Sequence, residues 1–367
     1  MAKPIFRVSM LPAIQGDALW IEYGDADSPR RILIDGGPIG AYGSLEKQLT
    51  SLPEGDQRVE LLVITHVDTD HIEGIIRLLA PKASDWPISP NDIWFNGWPH
   101  LSKSGMLGGR EGDFLSALIS RRAPGRWNKA FDGKAVVVRP DAGLPVVDLK
   151  EGMKITLLSP ETDGLLKMAK KWAKDVNRAG FKPGDLEGAW EHLVAATKYH
   201  VEEGMLGGQD DFGDRLRQQL KVDSSVANET SIAFLAEFAG KRCLFLADAH
   251  AEVLCNSLRK LIPAGEQRLT VDAVKMAHHG SQSNISKELM DLVDAQHYLV
   301  STSGVIHGHP DRAAIEDVIN CSPREPTLWF NYCSAQNAAW AKGPQGGERA
   351  FKTGYPASKS GGITIDL

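Results

Sequence analysis

Two histidines and two aspartates fall within six residues, His66-Val67-Asp68-Thr69-Asp70-His71. Imidazole and carboxylate are the donors that suit Zn, Mn or Fe. A helix N-terminus favours aspartate beside it, which would explain Asp70 but not two histidines. Buried charges without partners are costly, so such a cluster points to a bound cation. More donors recur further on: Asp248 after Cys243 to Ala247, the adjacent pair His278-His279 before Gly280-Ser281, and His307-Gly308-His309-Pro310.

The elements that must position these residues are legible in part. Leu61 to Ile64 closes a predicted strand over 59–64, and the segment 71–80 reads as a helix after it. Ile5 to Leu11, Ala18 to Tyr23 and Arg31 to Ile34 read as strands, separated by Gly16-Asp17 and by Gly24 to Pro29. The third runs into Asp35-Gly36-Gly37, where glycine permits a sharp turn. A helix is predicted over 45–52, a strand over 92–97, a helix over 114–119, and strands over 136–138 and 154–158. Between 161 and 227 the pattern becomes helical: Leu165, Leu166, Met168, Trp172 and Val176 fall at helical spacing, and a second helix covers 189–199. We expect a helical insertion within one domain spanning 1–367. Strands resume at 232–238, followed by 243–248 as the second arm of a hairpin that ends on Asp248. A helix over 252–261 follows, then strands at 271–276 and 298–302, and edge strands at 327–330 and 362–366.

Composition narrows the function classes. At 367 residues the chain can bury a sizeable core. Its net charge of −6 argues against indiscriminate coating of nucleic acid, though not against a local basic groove. Residues 121–139 carry Arg121, Arg122, Arg126, Lys129, Lys134 and Arg139 against Asp132, and a solvated basic loop is preferred there over a phosphate-binding edge. The four cysteines lack paired metal spacing and are expected to be reduced thiols of a cytoplasmic protein. No run approaches 18 apolar residues, so no membrane span is expected. The tetrapeptide Met106 to Gly109 recurs as Met205 to Gly208, which is too short to establish a repeat. Trp329, Tyr332 and Trp340 are expected to be core or surface aromatics rather than a base-stacking platform. No Gly-x-Ser-x-Gly supports a serine hydrolase.

The cluster His-x-Asp-x-Asp-His resembles the metal-binding signature of the metallo-β-lactamase superfamily, with Asp68 at the second histidine position. This variant, with His-His-Gly-Ser at 278–281 and Gly-His-Pro at 308–310, is most similar to the soluble hydrolase domain of ComEC-type DNA-uptake proteins. The resemblance implies an α/β fold, a four-layer αβ/βα sandwich, with two divalent ions (Zn or Mn, with Mg also suited) at strand ends. It implies His66, Asp68 and Asp248 on one ion, and Asp70, His71, His279 and the shared Asp248 on the other. Asp35 would orient a histidine ligand. Of the adjacent pair, His279 is the expected ligand. Asp70, His278 and His309 are the candidate catalytic residues, with His278 orienting or contacting phosphate and His309 a proton donor or phosphate contact. One departure stands out: the superfamily's further histidine, roughly twenty residues before the bridging aspartate, is absent, and that region holds Asn228 and Ser231. The implied function is cleavage of a phosphodiester in a nucleotide or short nucleic acid. The alternatives are hydrolysis of a lactone, thioester or β-lactam, and a metal-bound inactive binding module.

Overall fold

Leu61-Leu62-Val63-Ile64 is apolar throughout, as a strand covered on both faces must be. In the computed structural model, which describes residues 4–53, 55–101, 110–178, 184–200, 224–344 and 349–367, this run serves two cores at once. Leu61 and Val63 join Val8, Ile21 and Ile32 in a cluster between two sheets. Leu62 and Ile64 face the other way, into a cluster with Ile72, Ile75 and Leu79 of the following helix.

The first sheet holds β1 (Pro4–Met10), β2 (Leu19–Asp25), β3 (Arg30–Ile34), β4 (Leu61–Val63) and β5 (Ile93–Trp94) in that order. β3, β4 and β5 are parallel. The second sheet also follows chain order: β6 (Val146–Asp148), β7 (Lys154–Ser159), β8 (Ala233–Phe238), β9 (Lys241–Phe245), β10 (Leu269–Lys275), β11 (Val293–Val300), β12 (Thr327–Phe330) and β13 (Lys352–Gly354). From β9 to β13 its strands are parallel. β14 (Ile363–Asp366) returns to pair with β1.

Helices cover both outer faces. α1 (Tyr42–Thr50), α2 (Thr69–Leu79), α3 (Arg110–Arg122), α4 (Thr162–Arg178) and α5 (Leu186–Ala195) pack on the first sheet, with Leu45, Ile76, Leu118, Trp172 and Leu193 in one core. α6 (Ala251–Arg259), α7 (Lys287–Asp291) and α8 (Arg312–Cys321) pack on the second, through Leu258, Leu289 and Ile315. The layers run helix, sheet, sheet, helix, which is the αβ/βα order that the sequence resemblance implies.

Several elements differ from the sequence expectation. The strand expected over 59–64 is split: Arg58–Val59 pairs with Ser89–Pro90, while β4 enters the main sheet. The strand over 92–97 shrinks to β5, because Asn128 takes the backbone N–H of Phe95 and Asn96 bonds the backbone of Val136. Residues 136–138 form no strand. Val136 and Val138 are buried between the sheets, but only a single bridge, Val138 to Glu161, pairs them. β12 lies inside its sheet rather than at an edge, because the three-residue β13 adds beyond it.

Within the expected insertion, the described residues belong to the helical layer of the first sheet. Its second helix ends at Ala195, short of the expected 199, and a 3-10 turn over Thr197–Tyr199 follows. That turn is tied to α2: buried Glu73 accepts from Lys198 Nζ at 2.6 Å and from the Ile39 N–H at 3.0 Å. Arg121 and Arg122 stack over Trp190, and Arg121 pairs with Glu187, so this part of the basic stretch packs against α5. The tetrapeptides 106–109 and 205–208 lie outside the described residues. No described helix is long and apolar enough to cross a membrane.

Candidate metal centre

The C-terminal ends of parallel strands from both sheets converge on one point. β3 ends in Asp35, and β4 runs on through Thr65 to His66. Asp68 sits at the N-cap position of α2 without a side-chain capping bond, and the first turn carries Asp70 and His71. From the second sheet, β9 leads to Asp248, β10 to His278 and His279, and β11 to Ser301. Two close backbone approaches make this convergence possible. A Cβ on Gly74 would sit 2.0 Å from Gly36 O, so α2 can press against the Asp35-Gly36-Gly37 turn. A Cβ on Gly16 would sit 1.7 Å from Asp70 O.

Asp248 Oδ2 is the hub. It lies 3.8 Å from His66 Nε2, 3.5 Å from His71 Nε2, 3.6 Å from His278 Nε2 and 3.8 Å from His279 Nε2. Asp70 Oδ2 is 3.8 Å from His71 Nε2 and 3.6 Å from His279 Nε2. Asp68 Oδ2 is 3.5 Å from His66 Nε2. Two donors about 2.0–2.1 Å from one tetrahedral ion would be about 3.3 Å apart, slightly closer than these pairs. Two donor groups overlap: His66, His71 and Asp248 lie within 4.8 Å of one another, and so do Asp70, His71 and His279. The sequence resemblance gives His71 to the second ion alone, whereas the structure sets it between the two groups.

Hydrogen bonds fix which ring nitrogen faces inward. His71 Nδ1 is 2.8 Å from Asp35 Oδ2, and His279 Nδ1 is 2.9 Å from the Ser301 carbonyl. Both neighbours only accept, so both Nδ1 atoms carry a proton. Thr65 donates its hydroxyl to Asp35 Oδ2 at 2.7 Å, so its oxygen accepts from His66 Nδ1 at 3.0 Å. Three imidazoles are thereby anchored at Nδ1 and turned Nε2-inward, the arrangement typical of metal-binding histidines. Nε2 of His66, His71 and His279, and Oδ1 of Asp248, are buried without a hydrogen-bond partner. Orphaned polar atoms of this kind call for a ligand, and the donor set fits a divalent cation.

The electrostatics agree. Burial pushes the His71 imidazole down, but Asp248, Asp70 and Asp35 outweigh it and hold it well above the usual range. Burial likewise opposes Asp248 and Asp17, which together push His279 up to about 10. Burial would raise both carboxyls, yet Asp70 is held down at about 2 by His71 and His279, and Asp248 well below its ordinary value by His71, His279 and His278. Imidazoles this basic report a strongly negative potential, which attracts a cation.

No family model matches the sequence, and no curated protein matches it. Among solved structures, Zn(2+)-bound PqqB from Methylobacterium extorquens is similar at 12% identity over 98% of this chain and 100% of that one, with a TM-score of 0.41. CmlA, a diiron β-hydroxylase from Streptomyces venezuelae, is similar at 11% identity over 100% of this chain and 55% of its own, also at 0.41. A long form RNase Z from yeast follows at 11% identity, 89% and 37% coverage, and 0.36. The chain spans about half the length of the CmlA chain that it matches.

Every candidate metal residue named from the sequence, His66, Asp68, Asp70, His71, Asp248 and His279, lies in this cluster. His278 stands beside it, partly exposed. His309 is one ring further out: its centroid is 5.5 Å from that of His278, and its Nδ1 is 3.3 Å from Asp311 Oδ1. Burial holds the His309 imidazole below the usual histidine range, with Asp311 opposing. His307 lies beyond, 6.2 Å from His309 between centroids. Trp329 donates to His297, and the Tyr332 hydroxyl accepts from Ile14.

The sequence did not single out Asn284, Lys275, Thr65 or Ser301. Asn284 Oδ1 contacts His278 Nδ1 at 2.8 Å. Lys275 is buried with Nζ 2.6 Å from Asp17 Oδ2, while Asp17 Oδ1 lies 3.6 Å from His279 Nδ1. A lone lysine in an apolar strand was the one signal available for this pair.

Proposed function

We propose that the protein is a metal-dependent hydrolase of phosphodiesters, using two divalent ions, Zn or Mn with Mg also suited, at the cluster around Asp248. The observation that carries this reading is the overlap of two donor groups whose three imidazole Nε2 atoms are buried without any other partner. His66, Asp68 and Asp248 would hold one ion, Asp70, His279 and Asp248 the other, with His71 placed between the two groups to serve either. Such ions supply Lewis acidity, and they lower the pKa of a water to about 7 so that it can act as a nucleophile. Asp35, through His71, and the Ser301 carbonyl, through His279, keep the donor atoms aimed. Asp70 adjoins the reacting centre as a ligand.

His309, below the usual histidine range and oriented by Asp311, would contact the phosphate and move a proton at its free Nε2. A first site containing Asp68 is richer in oxygen than an all-histidine one and favours the harder ions, which bind phosphate oxygens well. The order of motifs matches the ComEC-type hydrolase domain, which supports a nucleotide or short nucleic acid as substrate. The net charge of −6 favours short strands over long duplexes.

The test compares bis(p-nitrophenyl) phosphate, single-stranded oligonucleotides, a cephalosporin and a lactone, each with Mn, Zn and Mg. Turnover of a phosphodiester is expected. Turnover of the lactone or cephalosporin with neither phosphodiester cleaved would replace this reading with the carbonyl-hydrolase alternative, and tight metal binding with no turnover of any substrate would favour the inactive module.

A further inference from the structure

We propose that His278 is a metal ligand, the fourth donor of the first site, standing in for the histidine that the segment before Asp248 lacks. The inference rests on the metal-centre reading above and adds to it a residue that the resemblance placed outside the ligand set.

His278, though partly exposed, meets the hub carboxylate at much the same distance as the three buried histidines. Its Nε2 lies 3.6 Å from Asp248 Oδ2, within the same narrow band as theirs. Its Nδ1 is 2.8 Å from Asn284 Oδ1. An asparagine amide has two faces, so its orientation must be settled before the tautomer is. Here Asn284 Nδ2 donates to the carbonyls of Asp248 at 2.9 Å and Ala249 at 3.2 Å. Turned over, Oδ1 would face two carbonyl oxygens, so the amide is pinned with Oδ1 towards His278. Ser283 also donates to that oxygen. Nδ1 of His278 therefore carries a proton, and Nε2 is the ring nitrogen turned towards the hub carboxylate. The segment that lacks the expected histidine reaches the same ring: Asn228 Nδ2 is 3.4 Å from His278 Nδ1. Turning the Asn228 amide would offer its partnerless Oδ1 as a second acceptor there.

The backbone is shaped to deliver both neighbours at once. His278 and His279 have φ of 44° and 56°, a left-handed conformation that non-glycine residues seldom adopt. Strain of this kind persists where the surroundings over-determine it, commonly at functional sites. Both three-donor groups form without His278, so its place follows from the carboxylate it meets. His279 touches both Asp70 and Asp248, whereas the carboxylate that His278 meets is Asp248. His278 thus adjoins Asp248 on the side away from Asp70, which assigns it to the ion that Asp248 shares with His66 and Asp68.

The test is a metal titration of the purified full chain with Zn and with Co(II), against a chromophoric chelator. Wild type is expected to bind two ions. His278→Ala is expected to lose at least tenfold in affinity for one of them and keep the other. His278→Gly, which suits the positive φ, should do the same if the alanine variant folds poorly. His309→Ala should hold both ions at wild-type affinity. In the Co(II)-loaded wild type, four hyperfine-shifted imidazole N–H protons are expected by NMR. Three such protons, or a His278 variant that binds every ion as wild type does, would overturn the proposal while leaving the metal centre intact. A wild type that binds no ion would instead sink the metal-centre reading itself.

Discussion

Replacing Asp35 by asparagine tests the orientation of the centre without touching it. Asp35 is fully buried and accepts three hydrogen bonds: from Thr65 N–H at 2.8 Å on Oδ1, and from the Thr65 hydroxyl at 2.7 Å and His71 Nδ1 at 2.8 Å on Oδ2. Its φ of 56° is tolerated by asparagine, so the backbone is not perturbed. The amide then has two orientations, and each loses something. With Oδ1 kept on Thr65 N–H, the NH2 faces His71 Nδ1, and the proton must move to Nε2, which blocks the ligand atom. With the amide turned, NH2 faces the Thr65 N–H, and a buried donor is left unsatisfied at about 1–3 kcal/mol. Loss of such an orienting partner typically costs about 10–100-fold in metal affinity. Asp35→Asn is therefore expected to bind Zn or Mn at least tenfold more weakly in chelator competition, with an intact circular dichroism spectrum. Affinity within twofold of wild type would refute the tautomer assignment for His71.

Three further outcomes follow from buried groups. Lys275→Met leaves Asp17 as an uncompensated buried charge, which costs about 3–5 kcal/mol; denaturant unfolding should show the loss, and adding Asp17→Asn should recover part of it, whereas an unchanged midpoint would mean that the pair is not buried as described. Burial pushes the Asp113 carboxyl up to about 8, from an ordinary value near 3.8. Its contribution is present in full below about pH 3.8 and is lost as the pH rises through 8, so Asp113→Asn should melt above wild type by a margin that grows from pH 5.5 to pH 8.5; a constant margin would contradict this. Glu73→Gln weakens the tie from α2 to Lys198, and hydrogen exchange at 186–199 should quicken by about tenfold or more while α2 stays protected.

What the sequence revealed depended on where the partners sit. His66, Asp68, Asp70 and His71 were legible because four donors are adjacent in the chain, and no core role accounts for them all. Asp248 and His279 sit at predicted strand ends, and their family positions made them stand out; Asp35 was visible for the same reason. The groups that aim them were not. Ser301 acts through its carbonyl, which any residue possesses, and Thr65 through a hydroxyl that links His66 to Asp35 by hydrogen bonds. Asn284 became relevant only once β10 and the loop after it lay beside Asp248. Val136 to Val138 had the composition of a strand and the burial of one, but the Asn96 side chain takes both backbone groups of Val136, and Val138 makes only a single bridge. β13 is three residues long, too short for alternation to register. The four layers followed from the resemblance rather than from periodicity.

The division of the donors between two sheets also bears on how the protein assembles. His66, Asp68, Asp70 and His71 arrive with the first sheet, and Asp248, His278 and His279 with the second. Neither half holds a complete set, so a collapsing chain meets a cation with half a grip at most. Contacts between such distant segments form late, because the intervening loop must close first. An ion bound there would therefore be chosen by a nearly finished protein rather than by a nascent chain. Once seated, it would bridge the two halves across their seam and slow their separation, making the lifetime of the folded state depend on metal supply.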